Sequence, residues 1–93
     1  MAPLSDQEIA TRLAGEPDWR RDGDAIVRDY SLENFEAAID FVDRVAAMAE
    51  VKNHHPDILV HSWNKVRLTL STHSEGGLTD ADFELAALID GLD

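Results

Sequence analysis

Residues 51–77 read VKNHHPDILVHSWNKVRLTLSTHSEGG and contain all four histidines of a 93-residue chain. Pro56 forbids helix continuation and biases His55 toward an extended backbone, so a helix arriving from upstream must stop here. Beyond it, Ile58 to Trp63 and Lys65 to Thr72 are expected to be two strands joined by a tight turn near Ser62–Asn64. The second has the clearest alternation in the chain: Val66, Leu68 and Leu70 point one way, Lys65, Arg67, Thr69 and Ser71 the other. If the pleat continues, His73 lies on the polar side. Gly76-Gly77 then breaks the strand. A strand pair polar on one face implies an antiparallel sheet covered on the other face only.

Upstream, Phe35, Ala38, Ile39, Val42, Val45, Ala46 and Ala49 recur at spacings of three and four, and predict a helix from Glu33 to about Lys52. Phe41 and Met48 lie off the centre of that stripe and widen it. Such a helix has about five turns and is roughly 30 Å long. Before it, Trp19 to Leu32 is expected to form a hairpin through Asp22-Gly23, with Ala25–Tyr30 returning. Ser5 followed by Glu8 is a capping-box pattern that opens a first short helix carrying Ile9 and Leu13, with Gly15 and Pro17 ending it. Downstream, Thr79-Asp80-Ala81-Asp82 opens a last helix with an apolar face of Leu85, Leu88, Ile89 and Leu92, flanked by Phe83, Ala86 and Ala87. The predicted fold class is α+β: one domain over residues 1–93, ordered α-β-β-α-β-β-α, with a four-stranded antiparallel sheet and three helices on one face.

The composition narrows the function. Nineteen acidic and eight basic residues give a net charge of −11, which argues against nucleic acid and anionic membranes as partners. There is no cysteine, hence no disulfide, no thiolate nucleophile and no thiolate zinc site. The N-terminus has early acids and no long apolar run, so neither a signal peptide nor a membrane span is expected, and the expected location is cytoplasmic.

Histidine donates and accepts protons near neutral pH. Adjacent residues of an extended chain point to opposite sides, so His54 and His55 cannot easily chelate one ion, and the helical His-Glu-x-x-His spacing is absent. His61 reads as a surface histidine. No serine sits in a Gly-x-Ser-x-Gly setting, and no glycine-rich phosphate loop follows a strand. What remains is chemistry that needs only protons moved: elimination, hydration or isomerisation. Asp82 has two local readings, as the acidic half of a capping box or as a partner for a histidine.

The spacing Glu50, three residues, His54-His55-Pro56, six residues, Trp63, nine residues, His73, eight residues, Asp82 resembles the signature of the pterin-4a-carbinolamine dehydratases. Asn64-Lys65-Val66 and Gly77-Leu78-Thr79 are similar to the family as well, while Trp63 stands where many members carry tyrosine. The resemblance implies dehydration of a 4a-hydroxytetrahydropterin to quinonoid dihydropterin, in support of tetrahydropterin recycling, with no metal and no organic cofactor. It implies His54 and His73 as proton donors to the leaving hydroxyl, His55 as chiefly holding substrate, and Asp82 as orienting a histidine. Glu50, Pro56, Trp63, Ser71 and Thr72 would line the pterin pocket. The implied partners are a small-molecule pterin, further copies of the chain in a dimer or tetramer, and an aromatic amino acid hydroxylase as source of substrate. The alternative is a non-catalytic pterin-binding or regulatory protein on the same fold.

Overall fold

The computed structural model describes residues 2–92, all but the two ends of the expected domain. Helix α1 (Asp6–Ala14) opens on Ser5, whose hydroxyl accepts the Glu8 N–H while the Glu8 carboxylate accepts the Ser5 N–H. That reciprocal pairing satisfies two backbone donors a helix start leaves over. Strands β1 (Arg20–Asp22) and β2 (Ala25–Ser31) follow. Asp22 pairs with Ala25 across a two-residue loop whose first member, Gly23, has φ +60°. Glycine takes that conformation without a Cβ clash, which is why Asp-Gly marks this turn. Helix α2 (Phe35–Lys52) is capped by Asn34, so it starts two residues later than its apolar pattern suggested. Strands β3 (Asp57–His61) and β4 (Lys65–Leu70) and helix α3 (Asp80–Asp90) complete the predicted order.

The four strands form one antiparallel sheet in the order β1-β2-β4-β3. Ile26, Tyr30, Val66, Leu68 and Leu70 point into the core with Ile9, Ala38, Phe41, Val45, Phe83, Leu85, Ala86 and Ile89 from the helices. The opposite sheet face carries the other pleat set, in rows such as Val27, Thr69 and Asp57. There Asp29 receives both Arg67 and Arg20, and these guanidiniums hold its carboxyl below the usual range.

Two helix faces differ from their predicted ones. On α2 the buried residues are Ala38, Phe41, Val45 and Ala49, while Phe35 is 54% exposed and Ala46 is exposed. The Phe41 ring packs on Tyr30, with centroids 4.5 Å apart, and the helix turns that way to bury it. On α3, Phe83 and Ala86 are buried and Leu88 is turned outward. The rotation brings Asp82 inward, one turn before Leu85 and Ala86 on the same face. At the far end of α3, Asp90 accepts the Trp19 indole N–H (2.8 Å) and an Arg28 N–H (2.5 Å). Glu16 shares a hydrogen bond with Asp90, and that bond, burial and Asp90's charge push its carboxyl up to about 7.

Candidate active site

The end of α2 places three of the predicted site residues. Asn53 adopts the left-handed conformation (φ 49°), and the N–H groups of Asn53 and His54 fold back onto the last carbonyls of the helix. This is how helices commonly terminate, and it reverses the chain sharply. Glu50 stays on the last turn while His54 and His55 leave it in different directions. His55 Nε2 bonds the Glu50 carboxylate, and both side chains are solvent-facing. His54 turns inward, its side chain 16% exposed, with Nε2 2.5 Å from Asp82 Oδ1.

Asp82 is fully buried, which would be costly for an unpaired carboxylate. Its Oδ2 accepts the Thr79 N–H (3.0 Å) and the Thr72 hydroxyl (2.8 Å), while Thr79 Oγ1 lies 2.9 Å from Thr72 Oγ1. Asp82 therefore does both things its sequence position allowed: it closes the start of α3 and it holds a histidine. An ionised carboxylate only accepts, so the His54 Nε2 carries a hydrogen and Nδ1 is left for other chemistry. Arrangements of this kind fix the tautomer and orientation of an acid–base imidazole.

Beside this network, on the open sheet face where β4 ends, lies a cleft of about 280 Å³. Thr69 and Ser71 form its floor, His55 and Asp57 line it on the β3 side, Asp24 and Ala25 on the β2 side, and His73, Gly76 and Gly77 come from the loop after β4. β4 stops at Leu70, two residues short of its predicted end, and His73 opens a 3₁₀ turn (His73–Glu75) instead of continuing the pleat. An isolated bridge between Thr72 and Gly77 closes that loop and brings His73 over the cleft. The structure thus gathers His55, His73 and Ser71 around the cleft. His54, Asp82 and Thr72 stand behind it, with Glu50 gripping His55. Pro56 sets the backbone and is not on the cleft lining.

Trp63 is not brought there. β3 ends at His61 because Ser62 and Trp63 both take positive φ, and Trp63, 61% exposed, sits in the turn at the other end of β4. Ser71 is eight positions further on, about 26 Å along a strand. His61 lies at the same remote end, exposed, with Nδ1 on its neighbour's hydroxyl. Asp24, Ala25, Asp57, Thr69, Gly76 and Gly77 line the cleft without having been expected there as site residues. For Thr69 the signal was present, since it alternates with the core residues of β4; Asp24 becomes visible only once β2 is paired with β4. Among the described residues no group of three or more His, Asp or Glu side chains is placed to hold a metal ion, and no helix is long and apolar enough to cross a membrane.

Residues 2–92 match the family described as Pterin 4 alpha carbinolamine dehydratase. The chain belongs to that family. It is 54% identical over 90 residues to a protein of Chloroflexus aurantiacus named as a pterin-4-alpha-carbinolamine dehydratase, covering 97% of this chain and 96% of that one. It is 56% identical over 89 residues to one of the same name from Nocardia farcinica, covering 96% and 93%. Among solved structures, a transcriptional coactivator/pterin dehydratase from Brucella melitensis superposes with a TM-score of 0.90 at 30% identity, over 97% of each chain. A pterin dehydratase-like RuBisCO assembly factor of the alpha-carboxysome superposes with a TM-score of 0.67 at 26% identity, over 81% of this chain and 88% of that one. As a pterin-4a-carbinolamine dehydratase the protein is a hydro-lyase, and its fold is the family's.

Proposed function

We propose that the three histidines of this dehydratase move the protons of the reaction. The 4a-hydroxyl leaves only once it is protonated; as its C–O bond breaks, N5 loses a proton and the C4a=N5 double bond forms, so that water departs with no change of oxidation state. His73, at the cleft, delivers the proton to the hydroxyl. His54, oriented by Asp82 through Nε2, offers Nδ1 as the second acid–base atom. His55, gripped by Glu50, chiefly holds the substrate. The observation that carries this reading is the convergence of two histidines on one cleft with the buried His54–Asp82 pair directly behind it. General acid–base help of this kind is worth about 10²–10⁴-fold. A binding-only role, such as the names of two solved relatives raise, has no use for a buried carboxylate committed to an imidazole. We place the enzyme in the cytoplasm, acting on the carbinolamine an aromatic amino acid hydroxylase releases.

The test follows the ultraviolet absorbance of freshly generated 4a-hydroxytetrahydropterin with and without protein. Wild type should accelerate its loss. His54→Ala and His73→Ala should each lower kcat by about 10²-fold or more, whereas His55→Ala should chiefly raise KM. Wild-type rates in both of the first two would sink the assigned roles, and a kcat-only effect at His55 would reverse the division of labour.

A further inference from the structure

Of the carboxylates around the histidines, two are committed: Glu50 to His55, and Asp82 to His54, Thr72 and Thr79. Asp24 and Asp57 are not; neither carboxylate has a hydrogen bond or an ion pair among the described residues, and both face the cleft. Asp24 is the better fixed. It is the second loop residue of the β1–β2 hairpin, and the Ser71 hydroxyl donates to its carbonyl at 2.6 Å, tying the turn to the end of β4. Its Oδ1 stands 4.0 Å from the point where a side chain at Gly77 would begin, and that side chain would also press on Pro3 at 3.3 Å. Gly77 leaves the space beside the carboxylate open.

We propose that Asp24 is the residue that recognises the pterin ring, by accepting the paired N–H donors of its 2-amino group and N3. This rests on the dehydratase reading above. A pterin presents two parallel donors on the edge of its pyrimidine ring, and a carboxylate is the side chain that accepts two parallel donors at once. C2 of that ring lies directly across from C4a, the carbon that loses its hydroxyl. A recognition group therefore grips the ring edge remote from the hydroxyl, with the substrate-holding His55 facing it across the cleft. Asp24 lies across the Thr69–Ser71 floor from His55, about 10 Å away by two strand spacings. Specificity gained this way is strong, because a ligand that lacks the 2-amino donor sets a carbonyl against one carboxylate oxygen, even though its N3–H remains.

The discriminating ligand is lumazine, in which a 2-oxo group replaces the 2-amino group. Titration of wild type with pterin and with lumazine, read by ligand fluorescence, should show pterin bound at least tenfold more tightly. Asp24→Asn should weaken pterin by about 10–100-fold and bring the two ligands within about threefold of each other. In the dehydration assay the same variant should raise KM far more than it lowers kcat. Its circular dichroism should match wild type, since the Asp24 carboxylate makes no hydrogen bond or ion pair among the described residues. Equal wild-type affinity for the two ligands, an unchanged preference in Asp24→Asn, or loss of the preference in Asp57→Asn instead would each overturn the assignment. Absence of carbinolamine turnover in wild type that still prefers pterin would count against the catalytic reading and leave Asp24 as the recognition residue.

Discussion

Asp82 shows how one buried carboxylate can join a helix start to a reactive side chain. Its two oxygens take three donors from three segments: His54 after α2, Thr72 after β4, and the Thr79 backbone before α3. Removing the carboxylate leaves those donors without their acceptor at a buried position. Asp82→Ala should therefore cost about 2–4 kcal/mol, lowering the melting temperature by roughly 10–20 °C for a domain of this size. Thermal melts followed by circular dichroism check this; a shift of under about 3 °C would mean that water replaces the carboxylate. Asp82 was legible as a cap, and its place on the buried stripe with Leu85, Ala86 and Ile89 was open to anyone counting threes and fours backward. His73 was less so. The alternation that continues so evenly through β4 gives no sign that the pleat stops at Leu70, because the stop is made by the Thr72–Gly77 bridge and not by the strand's own residues.

At the level of elements, the contact between the α1–β1 loop and the end of α3 depends on a shared proton. Glu16 lies against Asp90, which already receives Trp19 and Arg28, while Asp18 lies 3.7 Å from Arg28 on its other side. The folded state binds the Glu16 proton more tightly than the unfolded chain does. Stability from this pair is thus full below the unfolded value of 4.5 and is lost as pH rises toward about 7. Glu16→Gln, which keeps a hydrogen-bond donor at every pH, should raise stability by about 1 kcal/mol at pH 8.5, after allowance for solvent screening, and by little at pH 5. Melts of both proteins at the two pH values check it; an equal gain at both would mean the proton is not what matters. Elements were the scale at which the sequence was most readable. Every helix and strand was expected in its observed order, because caps, turns and periodicity are local. The facing of α2 and α3 was not, because it is set by single encounters, Phe41 with Tyr30 and Asp82 with His54, that join distant parts of the chain.

For the whole molecule, charge and surface pull in opposite directions. A net charge of −11 on a small chain favours dispersal. Yet Phe35, Val51, Leu59 and Trp63 are all more than half exposed, and β1 and β3 are free sheet edges. We expect the protein to associate with itself as a dimer or tetramer, and more firmly as salt screens the acidic surface. Light scattering after size exclusion, in low and in moderate salt, should give two or four times the chain mass; a monomer at every salt concentration would refute this.

The strand order has a consequence in time. Each hairpin is a local pairing, but Asp24 and Ala25 belong to the first, Thr69 and Ser71 to the second, and the cleft between them exists only once β2 has docked on β4. That pairing joins Ile26 to Leu70 across the whole of α2 and β3, and pairings so remote in sequence are among the slower steps a small chain takes. Ligand binding should therefore return late in refolding, after most helical signal is already back.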